Sequence, residues 1–474
     1  MRIRMDRIVS VLAVGLFTLA GCGPDDPSAP SRIAGQIPDA RITAIGNSLT
    51  AGFLNNGLVV TGQRAGYANV VARQITGRDM SLPLIDLPGL GSSTDPDTGA
   101  PLGTAYVTPT GQIAFRELPT TDPRDLLLAA ALPVPYDNVG VPGALTADVL
   151  ETTSAINSVS PGNLFFDLIL RNSALPPGDT TQLDQLESLV ENGLPGTSLV
   201  MYWVGNNDVL GGALGGDPVE GVNVTPPSAF ASLTDAALAR IDALDVPQVV
   251  VLNVPDVTAI PFVTSIAGLL SQGGLTPADL NTAEENVAFV LLTAQTLLFE
   301  ADGSVDLDYV TGASATPETL PSNLTLTQAE VVVLQQTVAA FNDHLATAVD
   351  AGGRDWALVD ANSLLSGLPL DPTAPLNSLF PLVPSPAGGL VQNEGSAFSL
   401  DGVHPSERGY ARLANAVLES LNTTYGTEYP LVDLAGVENT IGFEDFGGAA
   451  GRTAPTVDPE ADVFRAVVEF VQQR

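Results

Sequence analysis

The sequence predicts an α/β fold, a three-layer α/β/α sandwich around a mainly five-stranded parallel sheet with long insertions. Three observations carry this. Five apolar runs, 41–45, 136–139, 198–204, 248–253 and 356–359, lack the polar alternation of half-exposed strands and read as strands buried on both faces. Helical patterns precede the last three runs. Strands alternating with helices call for a parallel sheet covered on both sides.

The helical segments follow from spacing. Over 182–192, Leu183, Leu186 and Val190 share one face, and Gly193 is the C-cap candidate. Over 228–244 the face is Phe230, Leu233, Ala237, Ile241 and Leu244. A capping box from Thr327 to Glu330 opens the helix at 327–349, with Leu334, Val338, Phe341, Leu345 and Val349 as its stripe. A last helix is expected after His404, with Pro405 in the first helical position and Tyr410, Leu413, Ala414, Val417, Leu418 and Leu421 facing inward. Residues 80–125, rich in Gly, Pro and Thr, read as loops or a small hairpin. Residues 210–227 and 257–322 are long excursions, the second helical over 283–299. There is no fixed-period repeat.

The chain opens with a positive stretch (Arg2, Arg4, Arg7), a short apolar run over 8–20 and the ending Leu19-Ala20-Gly21-Cys22. That run is too short for a permanent membrane span and reads as a signal peptide, residues 1–21. Its ending resembles the lipobox of bacterial lipoproteins, which implies lipidation of Cys22, a membrane anchor in the bacterial cell envelope. Gly23 after the cysteine favours the outer membrane by the sorting rule of enteric bacteria. A flexible Pro-, Asp- and Ser-rich tether follows over 22–37, then the main domain over 38–425. The stretch 426–474 leaves the core pattern, with an amphipathic helix expected over 460–473 and no role assigned. With one cysteine in 474 residues, no disulfide can form within the chain.

Acidic residues number 53 against 18 basic ones, a formal net charge of −35, and every basic residue is Arg. Such a chain repels phosphate backbones, which excludes nucleic acid as a natural partner. Salt adaptation and a codon bias replacing Lys with Arg both fit this composition. A hydrophobic content of 45% is that of a globular core.

Three short segments carry the chemistry: Gly46-Asn47-Ser48-Leu49-Thr50, Gly205-Asn206-Asn207-Asp208 and Asp401-Gly402-Val403-His404-Pro405. A serine hydroxyl needs a base, and the chain has two histidines. His344 flanks the apolar stripe of its helix and reads as structural. His404 lies three residues after Asp401, a spacing that lets the carboxylate hold Nδ1 while Nε2 faces a serine. Asp401 reads equally well as a helix-capping acid. Asn207 offers an amide and Gly143 a close-approaching N–H to a developing oxyanion, with the Ser48 N–H as a third donor; as turn residues they would need no such role. Ser48, Gly143, Asn207, Asp401 and His404 all follow carboxyl ends of expected strands, where functional groups gather in such sheets. Two differently placed histidines and no cysteine in the fold leave no metal site to assemble, and no cofactor is expected.

These segments resemble the SGNH (GDSL-type) hydrolase family. Gly46-Asn47-Ser48-Leu49 is similar to its first block, 138–143 to its second, Gly205-Asn206-Asn207-Asp208 to its third and Asp401-Gly402-Val403-His404 to its fifth. The resemblance implies a flavodoxin-like sandwich that hydrolyses esters or thioesters. Ser48 would be the nucleophile, His404 the base, Asp401 its partner, and Ser48, Gly143 and Asn207 the oxyanion hole. Asn47 departs from the usual Asp before the serine, which implies altered positioning of Ser48. The substrate would be a small-molecule or polymeric ester, acyl lipid or acetylated carbohydrate. The alternative is a non-catalytic surface lipoprotein that binds glycan or lipid in the same cleft. Residues 257–322 read either as a lid or cleft wall, or as a scaffold insertion. The sequence leaves oligomeric state open.

Overall fold

The computed structural model describes residues 35–444, apart from 96, 110–112, 129–133, 161, 172–177, 193–195, 301–303, 369–381, 385–389 and 394. Cys22, the signal peptide, Gly193 and the helix expected over 460–473 lie outside the described residues. No helix among the described residues is long and apolar enough to cross a membrane.

The chain begins with β1 (Arg41–Gly46), α1 (Ser48–Ala51) and α2 (Tyr67–Thr76), then the hairpin β2 (Leu102–Val107) and β3 (Ile113–Glu117). Next come α3 (Gln182–Asn192), β4 (Thr197–Trp203), α4 (Asn207–Gly215), α5 (Pro227–Asp242) and β5 (Gln248–Leu252). They are followed by α6 (Pro261–Gln272), α7 (Gln328–Asp350), β6 (Ala357–Val359) and α8 (Glu407–Tyr425). The central sheet runs β1-β4-β5-β6, with every pair parallel.

Alternate strand residues feed two separate cores, so the absence of polar alternation has a direct cause. Ile45, Val200, Tyr202, Val249 and Val251 meet Leu183 and Leu186 of α3, Phe230 and Ile241 of α5, and Phe341 of α7. Ile42, Ala44, Met201, Trp203 and Leu252 face the other way, onto Tyr67 and Val71 of α2 and Tyr410, Leu413 and Val417 of α8. Phe230 and Phe341 stack with ring centroids 3.9 Å apart and fix α5 against α7. Each such side chain contributes roughly 1.5–3 kcal/mol by leaving water, and the strands collect this on both faces. The three expected layers are therefore present.

Three elements differ from expectation. Residues 136–139 run beside β1 but make a single parallel bridge, Ala44 to Asn138, in place of a regular strand. Asp137 O and the Val139 N–H both bond Ala44, at 2.8 and 2.9 Å. The Val141 N–H still reaches Gly46 O at 3.0 Å, but the Asp137 and Asn138 N–H groups bond Ser81 O and the Gly140 N–H bonds Asn138 Oδ1, so no regular ladder forms. Taken with this segment, the strand order by sequence is 2-1-3-4-5, the doubly wound order whose switch point lies between the first and third strands. Over 283–299, expected to be helical, the chain instead forms a strand at Val287–Val290, paired antiparallel with Thr325–Thr327, before a short helix at Gln295–Leu298. Short apolar runs of this kind suit either state, and here a pairing partner decides. Finally, Pro405 is not the first helical residue. It bridges Phe398, and α8 starts at Glu407 behind Ser406, whose Oγ accepts from the Gly409 N–H at 3.1 Å. The hairpin expected within 80–125 is present as β2 and β3.

Candidate active site

β1 delivers Ser48 to the switch point. A side chain at Gly46 would sit 2.2 Å from Thr50 Oγ1 and 2.6 Å from Trp203 O, so only glycine lets the chain turn there. Asn47 is fully buried and caps α1, its Oδ1 accepting from the Leu49 N–H at 3.2 Å. Its Nδ2 is buried with no hydrogen-bond partner. Asn at this position thus keeps the cap that Asp would make and leaves a donor idle. Two amides brace the turn: Asn138 Nδ2 donates to Thr50 O at 2.7 Å, and Gln182 Nε2, at the start of α3, donates to both Gly46 O and Val139 O at 2.7 Å.

The Asp401–His404 turn sits before α8. His404 Nε2 is 2.9 Å from Ser48 Oγ, and His404 Nδ1 is 3.0 Å from Asp401 Oδ2. An ionised carboxylate only accepts, so Nδ1 carries the proton and Nε2 is left as acceptor toward the serine. Asp401 is 1% exposed, and four donors meet it. Oδ1 accepts from the Val403 and His404 N–H groups, Oδ2 from His404 Nδ1 and the Asn56 N–H. Burial alone would raise its pKa. The adjacent His404 charge and the bonds from His404 and Val403 outweigh this and hold the carboxyl well below the usual carboxylate range. The His404 ring also packs on Phe53, with centroids 4.7 Å apart. The other histidine, His344, pairs with Asp235 at 3.0 Å between α7 and α5.

Asn207 opens α4 at the end of β4, and its Nδ2 donates one hydrogen to Ala144 O at 2.9 Å, leaving the other for the cleft. Gly143 stands in the left-handed region at φ 79°. Both line one cleft of about 510 Å³ with Ser48, Asp401 and His404. Asp208 turns away into the protein, where it binds Thr146 and Thr225, and burial raises its pKa. A separate apolar cavity of about 90 Å³ lies behind Leu49 and shares only Val403 with this cleft.

Several supporting residues escaped the sequence reading. Asn55 and Asn56 both have positive φ, 50° and 61°. Asn55 donates its N–H to Ser399 Oγ, accepts from Leu400 N–H through Oδ1, and donates Nδ2 to Ile441 O. The Asn-Asn-Gly run was the available signal for such a turn. Tyr410 Oη donates to Phe53 O at 2.6 Å and had no local signal. None of the described residues in 257–322 lines the cleft. Their part is behind it, where the Phe262 N–H donates to Gly402 O at 3.0 Å. Among the described residues, no group of three or more His, Cys, Asp or Glu could hold a metal ion.

Residues 42–417 match the model of the family described as GDSL-like Lipase/Acylhydrolase. The chain belongs to this family. Ester hydrolysis is accordingly its reaction class. No curated protein matches the chain. Among solved structures, an alpha/beta hydrolase enzyme, LAE5, from the metagenome of Lake Arreo, Spain, is 12% identical, with 81% of this chain and 96% of that one covered and a TM-score of 0.32. A mutant of Axe2, an acetyl-xylooligosaccharide esterase from Geobacillus Stearmophilus, is 11% identical, with 82% and 96% covered and a TM-score of 0.31. Likenesses this distant say nothing of substrate.

Proposed function

We propose that this GDSL-family protein is an exported, lipid-anchored serine esterase with Ser48, His404 and Asp401 as its catalytic triad. The observation that carries the reading is the unbroken hydrogen-bonded series from Ser48 Oγ through the His404 ring to Asp401. Ser48 Oγ attacks the ester carbonyl while His404 Nε2 takes its proton. Asp401 holds the ring in the required tautomer and stabilises the imidazolium. The carbonyl oxygen, now an oxyanion, takes hydrogen bonds from the Asn207 amide and the Gly143 and Ser48 N–H groups. His404 returns the proton to the departing alkoxide oxygen, and the alcohol leaves. Water then attacks the acyl-enzyme by the same proton path and releases the acid. Export and anchoring through Cys22 rest on the N-terminal pattern of charge, apolar run and Leu-Ala-Gly-Cys.

Ser48→Ala tests the chemistry. It should lower turnover of p-nitrophenyl esters on the order of 10⁴-fold or more and abolish labelling by a fluorophosphonate, with the thermal midpoint retained. Undiminished turnover removes Ser48 from the mechanism. A wild-type protein that takes no Ser48-dependent adduct is a binding module. Labelling with radioactive palmitate, lost in Cys22→Ser, tests the anchor.

A further inference from the structure

The cleft has two chemically different ends, and the triad tells which part of an ester each receives. Helix α4 begins with the oxyanion donor. Asn207, Leu210 and Leu214, at i, i+3 and i+7, share one face of it, and all three line the cleft. Both leucines are half-buried, whereas Val209 and Ala213 on the adjoining face are fully buried in the core. An apolar track therefore leads away from the carbonyl oxygen position.

The other end lies on the His404 side. The Asn56 N–H bonds Asp401, and the Asn56 side chain holds the hydroxyls of Ser92 and Ser93, at 2.6 and 2.7 Å. Those two serines and Thr94 line the cleft there. Because His404 must protonate the leaving oxygen, the alcohol departs toward this hydroxyl-bearing end and the acyl chain is left for the leucines. Asp401 and His404 are the only ionisable side chains among the described lining residues. Among the described lining residues no Arg or Lys is present to pair with a phosphate, and the net charge of −35 repels one.

Building on the esterase reading, we infer that the substrate is a neutral ester joining an apolar acyl chain, laid along Leu210 and Leu214, to a polyol bound at Asn56, Ser92, Ser93 and Thr94. From Asn207 to Leu214 the helix advances roughly 10 Å, the reach of an extended chain of about eight carbons. This favours an acyl polyol over both acetylated polysaccharide and phospholipid.

The full-length protein is assayed on p-nitrophenyl esters from acetate to dodecanoate. The wild-type kcat/KM should rise at least tenfold from acetate to octanoate, and Leu214→Trp should lower the octanoate-to-acetate ratio by at least tenfold. Leu210→Ser, which removes bulk instead of adding it, should lower the same ratio. At fixed acyl length, monooctanoylglycerol should be cleaved at least tenfold faster than its 3-phosphate. A wild-type preference for acetate, a ratio unmoved in both variants, or equal rates on the two glycerol esters overturns the assignment. In those cases activity survives and the triad stands. Absence of hydrolysis at every chain length, with no fluorophosphonate adduct, overturns both together.

Discussion

Asp401→Asn is the perturbation whose consequence the geometry specifies most fully. The carboxylate accepts from four N–H donors, two on each oxygen. An amide has one accepting oxygen, so its NH₂ must face one pair. Facing the Val403 and His404 backbone donors, it would leave two buried N–H groups unpaired, at roughly 1–3 kcal/mol each. Facing Asn56 and the His404 ring, it leaves only the Asn56 N–H unpaired, because the imidazole can move its proton to Nε2 and accept at Nδ1. The second arrangement is lower by about one such penalty and is the one expected. It places an N–H where Ser48 Oγ needs an acceptor, and kcat should fall on the order of 10⁴-fold with a stability loss of only about 1–3 kcal/mol. The assay is kcat on p-nitrophenyl acetate with thermal unfolding in parallel, and ¹⁵N spectra of the imidazole to report the tautomer. Activity within tenfold of wild type, or Nδ1 still protonated in the variant, would refute the reasoning. The same pair also reports on pH. The Asp401 pKa is depressed on folding, so its stabilisation is full above the unfolded carboxyl value of about 3.9 and is lost as pH falls toward the folded value. The gap in thermal midpoint between wild type and Asp401→Asn should therefore narrow below about pH 4.

Further outcomes follow from neighbouring contacts. Asn207→Ala should cost on the order of 10²–10³ in kcat; a wild-type kcat would remove the amide from the oxyanion site. Gly409→Ala should impair folding and activity together, since a methyl there would lie 2.0 Å from Ala397 O; chemical denaturation of the purified variant would show it, and an unchanged midpoint would contradict the packing. Asn55→Ala should lower kcat while leaving KM nearly fixed, because its Oδ1 holds the Leu400 N–H beside Asp401 and its side chain does not line the cleft. A change confined to KM would refute that role.

The meeting of Ser48, His404 and Asp401 could be read in the sequence because each sits in a local motif. Asp401 and His404 are one turn apart, and Ser48 directly follows a buried strand. The strands at β1, β4, β5 and β6 were legible for the same reason, each run being apolar on both faces. Residues 136–139, Tyr-Asp-Asn-Val, carry two polar side chains, and the Asp137 and Asn138 N–H groups turn to Ser81 O, which leaves one bridge to β1. Within 283–299, Val287–Val290 became a strand because a partner lay at Thr325–Thr327, which no local pattern announces. The Asn55 and Asn56 contacts were invisible for a related reason: their partners lie 344 and 345 residues away. Turn composition says that the chain reverses there and not what it grips.

What it grips includes the end of the described chain. Ile441 O accepts from Asn55 Nδ2, Gly442 O accepts from the Val107 N–H, and the half-buried Glu407 takes the Thr440 and Ile441 N–H groups. Ser48 appears early in synthesis, His404 arrives 356 residues later, and this tie comes later still. A chain that stops before Asn439 would carry Ser48, Asp401 and His404 and lack the segment that fastens the Asn55 turn to the base of α8. Hydrolysis would then depend on nearly the whole polypeptide having been made, although the reacting groups all lie upstream of Asn439.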